Sequence, residues 1–125
     1  MRASFLKSYF LLLQVDLIMH FRGLQALHTL VRKTGMKPVA RNAEAKPEQL
    51  CHAVDLACVF YFKRVLCLQR SAATTILLRR LGVDAQMVIG AQLLPFKSHA
   101  WVERDGEILN DKPYMQEIYQ VLERC

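Results

Sequence analysis

The chain reads as an α+β fold, N-terminal helices followed by a small antiparallel sheet, and three observations carry that reading. Apolar residues recur at spacings of three and four through residues 4–34 and again from Pro47 to Leu81. After Gly82 the period changes to two: Ala85, Met87, Ile89 and Ala91 alternate with Gln86, Val88, Gly90 and Gln92. Two further strand-like segments, His99–Glu103 and Glu107–Asp111, then flank the turn residues Arg104-Asp105-Gly106.

At 125 residues the chain suits one compact domain. An apolar fraction of 53% with 22% charged residues excludes a disordered chain. The net charge of +6 is uneven: residues 1–50 hold eight Lys/Arg against three Asp/Glu, and residues 51–125 nine against eight. That excess suits an acidic peptide or a phosphate-bearing partner, or simply a solvated basic face. The basic region lacks the interleaved aromatics of a nucleic-acid surface, so no nucleic acid is expected.

Residues 4–34 read as one long helix. Leu6, Phe10, Leu13, Leu17, Leu24, Leu27 and Val31 form its main apolar row, His20 fills the gap, and Leu11, Val15 and Ile18 add a second row. Lys7, Gln14, Asp16, His20 and Arg22 interrupt the segment, so neither a transmembrane span nor a signal peptide fits. Residues 35–46, rich in Gly, Pro and polar side chains, form a linker. Pro47 and Glu48 suit the first turn of a second helix striped by Leu50, Val54, Cys58, Tyr61 and Val65.

A third helix is expected from Cys67. CLQRSAATTILLRRLG closes on Arg79, Arg80 and Gly82, cations against the negative helix end and then a left-handed cap. No Gly or Pro separates this helix from the one before it, so the residues alone allow a continuous helix to 81. Leu94–Lys97 turns the chain between strands, Pro113 ends the last strand, and residues 114–124 read as a short terminal helix. The organisation expected is a helix and linker over 1–46 and a core over 47–125, forming one compact domain overall.

The four cysteines, at 51, 58, 67 and 125, contain no C-x-x-C pair, and only His52 lies near them. No structural metal is expected, and a reducing cytoplasm is the simplest setting. Cys51 and Cys58 are seven apart on one helical face and read as small hydrophobes. Cys67 differs because it opens a helix, where unpaired N–H groups and the positive dipole end stabilise a thiolate. Followed by His99 and Asp111, it supplies the parts of a thiol acyl-transfer site. A packed structural cysteine is the competing reading.

The hairpin register decides whether His99 meets Asp111. With the two-residue loop Asp105-Gly106, Arg104 faces Glu107, and His99 and Asp111 point to opposite sides of the sheet. With the three-residue loop Arg104-Asp105-Gly106, His99 faces Asp111 directly. Both loops are compatible with the residues. Gln69, Gln92 and Trp101 are the candidate substrate-binding side chains, the two glutamines as possible oxyanion donors.

The motifs C-L-x-R-S at 67–71, L-R-R-x-G at 78–82, P-F-x-x-H-A-W-V-E at 95–103 and G-x-x-L-N-D at 106–111 resemble the B2 leader-peptidase family of lasso-peptide biosynthesis. Ser98 departs from the alanine common before that histidine. The resemblance spans about residues 47–112. It implies a transglutaminase-like, papain-related cysteine protease core and a Cys67–His99–Asp111 triad, with a helix break near Val65–Cys67. It further implies cleavage of a ribosomally made precursor at the leader–core junction, usually after a penultimate leader threonine. A cyclase then uses the freed amino terminus, and no metal or organic cofactor is required. Fused relatives carry a small leader-recognition domain. Residues 1–46 show no period-two segment able to pair a leader strand, so a separate leader-binding protein is expected, with the apolar face of residues 6–31 and its basic neighbours Arg22, Arg32 and Lys33 as candidate docking surface. Two alternatives compete: acyl transfer to an amine, and a non-catalytic peptide- or nucleic-acid-binding adaptor.

Overall fold

A computed structural model describes residues 2–35, 47–93, 96–104, 106–111 and 115–125. The elements are α1 (Arg2–Phe21), α2 (Leu24–Lys33), α3 (Pro47–Phe60), α4 (Cys67–Arg80), β1 (Gln86–Leu93), β2 (Phe96–Arg104), β3 (Glu107–Ile108), α5 (Met115–Ile118) and β4 (Gln120–Arg124). The expected linker over 35–46, the turn at Leu94-Pro95 and Pro113 fall largely or wholly outside the described residues.

The helix expected over 4–34 is two helices. Arg22 and Gly23 both donate backbone N–H groups to the carbonyl of Ile18, and Gly23 takes φ 85, a left-handed conformation that closes α1. Its core face also differs from the row expected. Leu11, Leu12 and Val15 are buried, whereas Leu6, Phe10 and Leu17 are exposed, and so is His20. A helix apolar on most sides has little amphipathic preference, so periodicity could not choose its buried face. Asp16 is accommodated by Lys63, 2.7 Å away, and by the hydroxyl of Tyr61, which donates to it at 3.3 Å. Among the described residues no helix is long and apolar enough to cross a membrane.

α4 is the central helix. Every residue from Ser71 to Leu78 is buried, with α1 and α3 on one side and β2 on another. This explains the run of small side chains Ser71-Ala72-Ala73-Thr74-Thr75, since neighbours can approach closely on several sides only where little protrudes. Ile76, Leu77 and Leu78 join Leu27, Val31, Leu50, Val54, Met87 and Val102 in the core.

The sheet has the order β3-β2-β1-β4 and is antiparallel at every pairing. Residues 114–124, expected to be helical, form only the one-turn α5 and then β4, which pairs with β1. The terminal strand alternates exposed and half-buried positions, and pairing there gives the backbone of β1 hydrogen-bond partners that a helix could not. Gly90 on β1 lies directly across from His99. A Cβ at Gly90 would come within 2.7 Å of the Trp101 ring and 2.9 Å of Tyr119. Only glycine lets Trp101 and Tyr119 close over the strand beside His99.

Candidate active site

Cys67 is the first residue of α4 and is half-buried. Leu66, the N-cap, makes no side-chain cap bond; instead the side-chain carbonyl of Gln69 accepts from the Leu66 N–H at 3.1 Å. The N–H groups of the first turn have no acceptor within the helix. The break between α3 and α4, not marked by Gly or Pro, falls at Tyr61–Leu66, where Tyr61 is buried against Tyr9 while Phe60 and Phe62 stay exposed.

His99 lies on β2 and Asp111 on the bend that follows β3. The His99 Nε2 and Asp111 Oδ2 atoms are 2.5 Å apart, which leaves Nδ1 as the other ring atom able to exchange a proton. Tyr119 stacks on the imidazole at 5.4 Å with ring planes 23° apart, and Trp101 lies at 6.2 Å. These rings fix the plane of the histidine. Cys67 and His99 line one cavity of about 140 Å³, walled also by Leu24, Leu68, Ile89, Ser98 and Ala100. Among the described residues no side chain is hydrogen-bonded to the Cys67 thiol, so thiol and imidazole share the cavity without being bonded.

The register is that of the two-residue loop, with Arg104 opposite Glu107 and Glu103 opposite Ile108. Continued regularly, it would carry Asp111 to the face away from His99. The strand instead ends at Ile108 and the chain bends over Leu109–Asp111, so the His99–Asp111 bond forms in a register expected to forbid it.

The three substrate-binding candidates sit differently from the triad candidates. Gln69 caps α4, and Gln92 lies on β1 opposite Lys97, outside the cavity lining. Trp101 is fully buried and donates its indole N–H to Glu103 at 2.8 Å, so it backs His99 and exposes no surface to a ligand. Further side chains surround the pair. The Arg70 guanidinium lies 3.8 Å from Asp111 and 3.7 Å from Asp55, and donates to the Asn110 carbonyl at 3.3 Å. Asn110 in turn contacts Ser71 and Val102. Leu24 reaches the cavity because α1 breaks at Gly23, and that glycine was the one available signal for it.

The two thiols of α3 are disfavoured as nucleophiles. Burial, reinforced by Asp55 and Glu48, pushes Cys51 up to about 12, and burial chiefly pushes Cys58 up to about 11. A larger depression of about 390 Å³ along α1, lined by Lys7, Phe10, Gln14 and Arg80 among others, contains none of the three triad candidates.

Comparison with known proteins places the chain. Residues 11–124 match the family described as the transglutaminase-like superfamily, from within α1 to the end of β4. The Microcin J25-processing protein McjB of Escherichia coli is 41% identical over 56 residues, which is 45% of this chain and 27% of that relative. The aligned stretch thus spans about a quarter of the relative's length. No solved structure matches significantly. The chain belongs to the transglutaminase-like superfamily, and both findings support the resemblance of its motifs to lasso-peptide B2 proteins.

Proposed function

We propose that this member of the transglutaminase-like superfamily is a cysteine peptidase that removes the leader from a lasso-peptide precursor. The observation that supports the reading most is the His99–Asp111 bond on the cavity that Cys67 lines. The similarity to a protein described as processing microcin J25 supports the substrate class.

In this mechanism His99 Nδ1 takes the Cys67 thiol proton while Asp111, on Nε2, fixes the tautomer and stabilises the imidazolium. The thiolate adds to the scissile carbonyl carbon, and the oxyanion lies against the N–H groups that open α4. His99 returns the proton to the departing amine as the C–N bond breaks, leaving a thioester on Cys67. A water, deprotonated by His99, then attacks the thioester; the leader departs as a carboxylic acid and the thiol is restored. The half-buried cavity holds back bulk water from the thioester, and its apolar walls suit uncharged side chains beside the scissile bond.

A separate leader-binding protein would raise the effective concentration of the junction near Cys67. The deciding experiment mixes the chain with its precursor, with and without such a partner, and measures product masses. Two fragments whose masses sum to precursor plus water support hydrolysis. An adduct between the leader and an added amine points instead to transamidation, which shares the thioester. Precursor left intact in every mixture overturns both.

A further inference from the structure

We propose that Asn110 is the positioning residue of the site: its side chain stands in for the Leu109 carbonyl in the β2–β3 ladder, and in doing so turns Asp111 onto His99. The inference rests on the Cys67–His99–Asp111 reading above.

The argument begins with the register. Glu103 pairs with Ile108 and Arg104 with Glu107, so Val102 faces Leu109. In an antiparallel hydrogen-bonded pair each residue donates its N–H to the other's carbonyl. Half of that exchange is made, the Leu109 N–H donating to the Val102 carbonyl at 2.8 Å. The other half is replaced: the Val102 N–H donates at 2.8 Å to Oδ1 of Asn110. The ladder is therefore cut within one residue pair, and the donor it would have orphaned is satisfied by a side chain.

Freed from the ladder, the chain bends at Asn110 and Asp111 reaches His99. In an uninterrupted ladder Asp111 would face Ala100 and point to the opposite side of the sheet from His99. The remaining groups of Asn110 run the other way, to α4. Its Nδ2 donates to Ser71 Oγ at 3.2 Å, and its backbone carbonyl accepts from Arg70 at 3.3 Å. Ser71 and Arg70 lie one turn into the helix that Cys67 opens. One residue thus joins the helix of the nucleophile, the strand of the base and the carboxylate that orients the base. The job needs one short planar group that accepts from the Val102 N–H and hydrogen-bonds the Ser71 hydroxyl, which asparagine has and alanine or leucine lacks.

The test is a double-mutant cycle read by the rate at which iodoacetamide alkylates Cys67, followed by peptide mass mapping of the full chain at neutral pH. Asp111→Asn should slow alkylation, and Asn110→Ala should slow it on the order of tenfold to hundredfold, as expected for a displaced catalytic group. The double variant should be no slower than Asp111→Asn alone, because Asn110 acts through Asp111. Asn110→Asp, which keeps the acceptor for Val102 and can receive the Ser71 hydroxyl, should stay within about threefold of wild type. Wild-type alkylation of Asn110→Ala beside a slowed Asp111→Asn overturns the positioning role; so do effects that multiply in the double variant. Wild-type alkylation and turnover of Asp111→Asn would instead overturn the triad reading itself. If Asn110→Ala fails to fold by circular dichroism, Ser71→Ala decides: a slowing that vanishes in the Asp111→Asn background supports the role, and a wild-type rate overturns it.

Discussion

The two ends of α4 each carry a half-buried arginine, and the two do different work. Arg79, near the C-terminal end, donates to the backbone carbonyls of Val31 and Cys125 at 2.5 Å, of Ala85 at 2.9 Å and of Thr34 at 3.3 Å. It ties α2, the start of β1 and the end of β4 to one helix. Arg70, in the first turns, faces the carboxylates of Asp55 and Asp111 at 3.7 and 3.8 Å, and its Nε is buried without a partner. A saturated guanidinium on fixed carbonyls serves the fold. A loosely held one, shared between two acids beside a histidine, suits the proposed site. Burial alone would not separate them; the identity of the acceptors does.

The largest effect should come from the chemical end. Cys67→Ala is expected to abolish turnover with an unchanged unfolding midpoint, while Cys51→Ala, Cys58→Ala and Cys125→Ala keep substantial activity. Product masses and thermal melts check both, and an inactive but folded Cys51→Ala would move the nucleophile to α3. Next comes Asp111→Asn, for which turnover should fall on the order of a thousandfold with little change in stability, because the neutral amide no longer stabilises imidazolium and favours the wrong tautomer.

The arginine pair sharpens the contrast. Arg70→Ala should cost tenfold to hundredfold in turnover and only about 1 kcal/mol of stability, its ion pairs being long and partly solvated. Arg79→Ala should cost about 2–4 kcal/mol by orphaning several carbonyls, yet leave turnover per folded molecule near wild type. Urea midpoints set against initial rates decide this, and equal losses on both axes for both variants would dissolve the comparison.

The smallest effect at neutral pH concerns the buried protonated groups of the helical layer. Burial holds Cys51 and Tyr61 up at about 12 and Cys58 at about 11, all above their ordinary values. The folded chain therefore keeps protons that the unfolded chain releases. Stability from these groups is complete below about pH 9 and declines as pH rises toward 11–12. Cys51→Ala should flatten that decline, as seen by comparing urea midpoints at about pH 8 and about pH 10.5. An unchanged slope would mean that Cys51 does not stay protonated in the fold.

Much of this molecule is legible in its residues, and most of the exceptions share a cause. The C-terminal end of α4 at Arg79–Gly82 and the strand of alternating residues from Ala85 follow from local signals: helix capping and a period of two. The candidacy of Cys67 rests on a cysteine opening a helix, and the break that opens it, unmarked by Gly or Pro, was implied by the resemblance. Apart from the local break at Gly23, what failed depended on a partner distant in sequence. The apolar faces of α1 are nearly equivalent until α3 and α4 select Leu11, Leu12 and Val15 for burial. Residues 120–124 could form a helix until the open edge of β1 offers hydrogen bonds. Both loops were compatible with the residues, and the register of the two-residue loop is present; the bend placing Asp111 on His99 is not a property of the turn at all. It depends on Val102, Ser71 and Arg70 converging on Asn110 from two other elements. Local sequence determined the helical N-terminal half, the C-terminal cap of α4 and the strand period, because backbone preference and capping act within a few residues. Only the tertiary structure decided which faces are buried and where Asp111 points, because hydrogen-bond satisfaction and burial are settled between elements that meet only once the chain has folded.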